Sequence, residues 1–436
     1  MKILMVFHAP PWPPEIGPAR RHYHELVELL ARGHRVSVLS YGTDDQRRHF
    51  LASLGSRCER VRFVPLHRSR ATQTLTRMWH FATTRSDFAR LCTRRLQYAL
   101  DAMVREDRYD VVSFSTTLLG RLRLPEGLPR VGDTHNVEFD IFRRAFEATP
   151  GMLRHYFRVQ AALTKRLEIA CTRRFDVVCT TSERDRRMLQ QAIPDARIAV
   201  VPNGVDLDAH EFHHGPRERG AILFTGLMSY YPNQHGVTRF VRDVFPLVLA
   251  RVPHARLLIV GANPPACVRR LASGNVLVSG YVPDVRPYFR RADAYVIPLS
   301  IGGGTRVKAL QAMAMGLPIV STRLGCEGLN VEHGREVMIA DDPAEFAAAL
   351  VRVMEDDALR GMLTRQAAQT VRAYSWTRVG DRFNDVLAQA AAGNRIPHLS
   401  SLIVNPSSLN PSSLNPSSLN PSSLNPSSQS QVTNQS

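Results

Sequence analysis

The chain has 436 residues, 44% hydrophobic and 22% charged, which suits a soluble globular protein with length for two α/β domains rather than one core. No apolar run reaches the roughly 20 residues of a spanning helix, and the six cysteines form no Cys-x-x-Cys pair, so a zinc site or disulfide framework is not expected and a cytoplasmic location is. The net charge of +17 is uneven, with 34 Lys/Arg against 21 Asp/Glu in residues 1–200 and 22 against 18 beyond; this points to an anionic membrane surface or a phosphorylated substrate, while the lack of aromatic residues alternating with the arginines argues against nucleic acid.

Lys2–Phe7 is apolar enough for one strand, and His8, Pro10, Pro11 and Trp12 end it before signal-peptide length. A helix from about Arg20 should stop at Gly33, a good C-terminal cap. Further β-branched runs predict strands at Arg35–Leu39, Val61–Pro65, Val111–Ser115, Arg130–Thr134, Asp176–Thr180 and Ile198–Val201. Pro202-Asn203-Gly204 is a turn, and a His/Gly/Pro-rich connection runs to Gly220. A second series follows at Ala221–Thr225, Arg256–Val260, Val276–Ser279, Ala294–Leu299, Leu317–Ser321 and Val337–Ala340. Strands alternating with longer helical patterns signify parallel βαβ units. The expected organisation is an N-terminal Rossmann-like domain (1–205), a C-terminal one (206–372), a helix (373–395) packing back on the first, and a tail (396–436). In that tail Asn-Pro-Ser-Ser recurs five times, and with no charge and a proline every five residues it should be disordered. Two such sheets form a cleft between their carboxyl edges, where open α/β sheets bind ligands.

The most informative segment is Ile301–Thr322, IGGGTRVKALQAMAMGLPIVST. It reads as a glycine loop, a helix and a strand. Gly302, Gly303 and Gly304 let backbone approach a ligand, Thr305 is a good N-cap, and the helix should run from Arg306 to Met315. A helix start after such a loop offers free N–H groups and partial positive charge, so it can hold an anion. Arg306 and Lys308 in the first turn oppose the dipole, which makes poor helix design and good phosphate design. Lysine occurs only at positions 2, 165 and 308, so Lys308 stands out in a chain that otherwise writes arginine. Lys308 and Gln311 should share the cleft face, with Val307, Leu310 and Ala314 on the core face.

The segments from Phe224 to Asn233, Val260 to Pro264, Gly280 to Val285, Gly302 to Gly328 and Tyr374 to Trp376, in that order and spacing, resemble the family 4 (group 1) retaining glycosyltransferases of GT-B fold. Within that family the chain is similar to exopolysaccharide-associated members carrying GGGTRxK. The first half is similar at Pro13–Gly17, Thr134–Asn136, Thr181–Glu183 and Val201–Asp206. The resemblance implies an α/β protein with two Rossmann-like domains and transfer of a sugar, with retention, from a nucleotide-sugar donor to a saccharide or lipid-linked acceptor. It implies roles residue by residue. Gly17 sits over the cleft, and Gly226 lies near the donor phosphates with Asn233 in the same region. The backbone of Tyr281 and Val282 holds the base. Gly303, Gly304 and Thr305 meet the donor sugar, Arg306 and Lys308 neutralise the diphosphate, Gln311 meets the ribose, and His135 contacts the donor sugar. No cofactor is implied. No Asp-x-Asp at a strand end suggests a metal, so fixed cations and a helix dipole are expected to do that work.

Gly303 and Gln311 stand where many family members carry glutamates, and a neutral Gln makes weaker bonds to a ribose diol than a carboxylate. Leu227 and Asn233 replace an Arg and a Lys common after the Gly226 position, which puts more of the phosphate charge on Arg306 and Lys308. Pro18 follows Gly17 in place of a second glycine. Two alternatives stay open: a GT-B sugar-nucleotide epimerase, and a non-catalytic scaffold of a polysaccharide assembly. The basic first half suits peripheral contact with an anionic inner membrane, through helices over Leu75–Val104 and over Phe142–Ile169 with Arg143, Arg144, Arg154, Arg158 and Lys165.

Overall fold

Each predicted β-branched run becomes a strand in the computed structural model, which describes residues 1–13, 17–65, 86, 88, 91–148, 151–302 and 306–393. The expectations for Gly303, Gly304, Thr305, the 75–85 part of the first basic helix and the 396–436 tail lie outside the described residues. The first sheet holds β1 (Lys2–Phe7), β2 (Arg35–Gly42), β3 (Arg60–Pro65), β4 (Val111–Phe114), β5 (Arg130–Thr134), β6 (Val177–Thr180) and β7 (Ile198–Val200). Its order is β3-β2-β1-β4-β5-β6-β7, with every pair parallel. The second holds β8 (Ala221–Thr225), β9 (Arg256–Val260), β10 (Val276–Gly280), β11 (Ala294–Ile297), β12 (Ile319–Ser321) and β13 (Met338–Ile339). Its order, β10-β9-β8-β11-β12-β13, repeats the same plan in parallel.

Both orders run outward from their first strand and then jump to its other side. This places a topological switch point between β1 and β4 and another between β8 and β11, where doubly wound sheets open a crevice for ligands. Helices cover both faces of each sheet, so the central strands are buried throughout rather than on alternate residues. Ile3, Leu4, Met5, Val6 and Phe7 are all buried, and so are all five residues of β8.

The last helix, Trp376–Ala391, leaves the second sheet and joins the first. Trp376, Val379, Phe383, Val386 and Leu387 share one core with Ile3, Met5, Leu26 and Val36. Trp376 also stacks flat on His24, with ring centroids 4.4 Å apart. The two connections between sheets run side by side, because Val205 N donates to Tyr374 O at 2.8 Å and forms a parallel bridge to Ser375. A side chain at Gly204 would strike the Trp376 ring at 2.5 Å, so glycine is needed for this crossing.

Candidate active site

The second switch point is built from a close meeting of two glycines. Gly226 follows β8 and Gly261 follows β9, both with φ of +155°. A Cβ on Gly261 would lie 1.8 Å from the Gly226 carbonyl oxygen, so no larger residue fits there. A Cβ on Gly226 would lie 2.6 Å from Asn233 Nδ2 and 3.1 Å from Lys308 Nζ. Gly226, Asn233 and Lys308, read separately from the sequence, therefore meet at one point.

The helix that carries Lys308 runs Val307–Ala314, one residue later than the sequence suggested. Arg306 occupies the N-cap, in a non-helical conformation (φ −84°, ψ 85°) with no side-chain cap. Ala309, Leu310, Ala312, Met313 and Ala314 are buried against the sheet; Val307, expected in the core, is only half-buried because it starts the helix. Arg217, from the connection between the sheets, holds the far end by donating to the Met315 and Gly316 carbonyls at 3.0 and 2.9 Å. Cations suit a helix C-terminus, and this one fixes the helix axis.

Lys308 donates from Nζ to Thr225 O at 2.7 Å and to Asn233 Oδ1 at 2.9 Å, and it lies 4.5 Å from the centre of the Phe224 ring. Asn233 is oriented in turn by Nδ2 donating to Leu227 O at 2.9 Å. These oxygens are neutral. Burial, and then the nearby Arg306 charge, push the Lys308 ammonium down to about 7. Arg306 is 7% exposed, its Nε reaches Leu324 O at 3.4 Å, and burial likewise lowers its pKa. Two adjacent cations held by carbonyl and amide oxygens, Arg306 buried and Lys308 half-buried, form a place where an anion would be strongly held.

Gln311 lies on the same helix, but its Nε2 meets His210 Nε2 at 3.1 Å. His210 Nδ1 faces Asp206 O at 2.9 Å, and burial lowers the ring's pKa. The consistent assignment is a neutral ring donating from Nδ1 and accepting from Gln311. Tyr281 and Val282 leave β10 at the same edge, Tyr281 70% exposed and Val282 packed against the second-sheet core.

At the first sheet, His135 follows β5 and Gly17 opens the helix Gly17–Ala31. His135 Nε2 lies 2.8 Å from His22 Nε2, and His22 Nδ1 lies 3.2 Å from Glu25 Oε2. With His22 donating to the carboxylate, its Nε2 accepts from His135 Nε2–H, and His135 Nδ1 is left as an acceptor. Burial, and then the neighbouring His22 and Arg21, hold His135 well below its ordinary value, so it is neutral. His8, after β1, pairs through Nδ1 with Ser115 Oγ at 2.9 Å and is pushed down to about 4 by burial.

Beneath these rings, Arg21 forks onto both oxygens of Asp133 at 2.8 Å and donates to Pro202 O at 2.8 Å. Burial opposes its charge, but Asp133 and Glu25 outweigh burial and leave Arg21 above its usual value. Glu25 Oε1 lies 2.9 Å from Arg21 Nε but outside the N–H direction, which is spent on Asp133. His22, Asp133 and His135 bring three possible ligand atoms within 4.8 Å. Both Asp133 oxygens already accept from the Arg21 guanidinium, which sets a fixed cation beside the cluster. Arg21, His22, Glu25, His8 and Ser115 were not singled out in the sequence; the i, i+3 and i, i+4 spacing of Arg21, His22 and Glu25 on one helix was the available signal.

Of the two neighbouring cations expected on a membrane-facing surface, Arg143 is exposed and Arg144 is not. Arg143 binds Asp140 and Glu147. Arg144 reaches across to the second sheet, where it contacts Gly302 and Glu327.

Two parallel, doubly wound sheets with their carboxyl edges facing are the GT-B architecture. Residues 17–209 match the model of Glycosyltransferase Family 4, and residues 219–356 match that of Glycosyl transferases group 1. The chain thus has the GT-B fold, and each of its two domains matches a glycosyltransferase family model. It is 30% identical over 213 residues to the phosphatidyl-myo-inositol mannosyltransferase of Mycolicibacterium smegmatis, covering 45% of this chain and 53% of that protein. It is 27% identical over 231 residues to the D-inositol 3-phosphate glycosyltransferase of a Nocardioides species, covering 45% and 49%. The chain thus spans about half the length of the curated relatives it matches. In fold it resembles the sucrose-phosphate synthase of Thermosynechococcus elongatus (TM-score 0.69, 17% identity, 90% and 100% coverage). It also resembles Anabaena HepE solved with UDP-glucose (TM-score 0.63, 15% identity, 89% and 100% coverage).

Proposed function

We propose that this protein transfers a hexose from a nucleotide-sugar donor to a saccharide or lipid-linked acceptor, with retention and without a metal, in the making of an exopolysaccharide or other cell-surface glycan. The observation that carries the reading is the Lys308 ammonium, bound to Thr225 O and Asn233 Oδ1 beside Gly226 at the second switch point. A diphosphate there replaces neutral partners with full charges. It stabilises the ammonium and is stabilised as a leaving group. The bond from the acceptor oxygen to the anomeric carbon forms on the face from which the phosphate leaves, and the acceptor proton passes to the departing phosphate oxygen. Neutral His135 offers Nδ1 to a donor-sugar hydroxyl. Gly303, Gly304 and Thr305 are assigned the sugar, Tyr281 and Val282 the base, and Gln311 the ribose.

A basic face on the first domain supports contact with an anionic membrane. On the helix Leu153–Thr172, Arg154, Arg158, Lys165 and Arg166 are exposed and form no ion pair among the described residues. Met152 and Leu153 at its start are 89% and 56% exposed. Each cation near an anionic surface contributes about 1 kcal/mol, so four of them with two apolar side chains suit peripheral binding. No helix among the described residues is long and apolar enough to cross a bilayer. Co-sedimentation with vesicles should rise with anionic lipid content; binding independent of it contradicts this part.

The Gln311–His210 contact favours a second reading, a non-catalytic scaffold, because it occupies the amide assigned to the ribose. A thermal-shift panel of sugar nucleotides separates the two. A bound donor raises the melting temperature in step with its affinity, and a scaffold responds to none.

A further inference from the structure

Arg144 lies on the helix Glu138–Ala148 of the first domain, yet most of its hydrogen bonds reach the second. Its Nη2 donates to both oxygens of Glu327 at 3.0 Å, and its Nη1 donates to the Gly302 carbonyl. Nε stays on Asp140 Oδ2 at 2.8 Å. Arg184, on the helix Glu183–Ala192, adds a contact from Nε to Glu327 Oε1 at 3.0 Å and one from Nη2 to Asp140 Oδ2 at 2.7 Å. Two arginines of the first domain, both braced by Asp140, thus hold one carboxylate of the second. The network is largely dry, with side-chain exposures of 12% for Arg144, 21% for Glu327 and 3% for Asp140.

What this network touches suggests its purpose. Glu327 ends the turn Leu324–Cys326, whose Leu324 carbonyl takes Arg306 Nε. Gly302 packs on the other side of the same guanidinium, since a Cβ there would lie 3.1 Å from Arg306 Nη2. Its φ of +127° is one that glycine adopts readily and other residues do not. Arg144 therefore grips both walls of the Arg306 site from the opposite domain. One planar guanidinium that reaches Asp140 through Nε, Gly302 through Nη1 and Glu327 through Nη2 fixes direction as well as distance, which the single ammonium of a lysine cannot do.

We propose that Arg144 and Glu327 are positioning residues for Arg306: when the carboxyl edges of the two sheets meet, their ion pair fixes Gly302 and the Leu324–Cys326 turn around the Arg306 guanidinium, so that phosphate recognition is completed only in the closed cleft. This rests on the donor-diphosphate reading of the second switch point. It goes beyond that reading by giving the first domain a share in donor recognition through residues that need not touch the donor.

The test uses full-length wild type, Arg144→Ala, Arg144→Lys and Glu327→Gln. Affinities for a nucleoside diphosphate and for the bare nucleoside are measured by calorimetry, and the radius of gyration by X-ray scattering. Arg144→Ala and Glu327→Gln should weaken diphosphate binding about tenfold, within the usual range of coupling between sites. Nucleoside binding should stay within about twofold, and both variants should be more expanded in solution. Arg144→Lys keeps a charge for Glu327 but cannot hold Gly302 and Asp140 at the same time, and should fall between them and wild type. A lower melting temperature with unchanged diphosphate affinity, or equal losses for diphosphate and nucleoside, makes the network merely structural and overturns the proposal. If wild type binds no nucleoside diphosphate, the transferase reading fails. The scattering then decides the network alone, and an unchanged radius of gyration in Arg144→Ala overturns it.

Discussion

The two halves of the molecule share a strand order but treat the cation beside the switch point in opposite ways. In the first, Arg21 is matched by Asp133 and Glu25, and Arg144 and Arg184 by Asp140 and Glu327. In the second, Lys308 sits on a carbonyl and an amide oxygen, with no carboxylate in hydrogen-bond contact among the described residues. A buried cation with a carboxylate partner is a finished structural element. One held only by dipoles carries a free-energy cost that an anionic ligand can relieve. The same fold thus yields a rigid wall on one side of the cleft and an anion receptor on the other.

Substitutions at the two sides should break this symmetry unequally. Lys308→Ala has the largest expected effect, a fall in transfer rate of about a hundredfold or more, as loss of a few kcal/mol of charge stabilisation would give. Turnover near that of wild type removes Lys308 from the mechanism. Gly226→Ala comes next: the added methyl presses on Asn233 Nδ2 and Lys308 Nζ in a strained backbone, and donor KM should rise by an order of magnitude (~1.4 kcal/mol). An unchanged KM would mean that the glycine pair does not shape the donor site. His135→Asn, on the first side, should lower kcat about tenfold by losing one hydrogen bond to the sugar, and leave nucleoside diphosphate affinity alone. A matching loss of diphosphate affinity would show that the sides are not distinct.

The smallest effect is on stability. Lys308 has a folded value of about 7, below its ordinary 10.5. Between these pH values the unfolded chain binds more protons, so its contribution to stability rises with pH across that window and the penalty is full below it. Lys308→Met removes the penalty. Its melting temperature relative to wild type should be higher at pH 6 than at pH 9, by about 2–5 °C. An equal difference at both pH values contradicts the dry setting of the ammonium.

These residues differ in how far the sequence disclosed them. The strands were legible, with ends shifted by a few residues, because β-branched runs between Gly and Pro signals are local. Gly226 and Asn233 were named from motif resemblance and Lys308 already from its place in the first turn after a glycine loop, and the fold brings them together. The helix start was read one residue early, because glycine and threonine before Arg306 look like a cap whatever the backbone does at Arg306. The networks were not legible: His135 meets His22 across 113 positions, and Arg144 meets Glu327 across 183. No periodicity spans such distances. Arg144 and Arg154 look alike in a basic sequence, and only the fold separates the cation that bridges the cleft from the one that faces solvent.

The central claim is that the Lys308 ammonium is completed by the donor diphosphate. Calorimetric titration of a nucleoside diphosphate at pH 8, in buffers of different ionisation heat, tests it most directly. The amine is then mostly neutral in free protein and should become charged on binding, so close to one proton is taken up per ligand, and this uptake is lost in Lys308→Ala. Binding without proton uptake, or with uptake unchanged in Lys308→Ala, would contradict the claim.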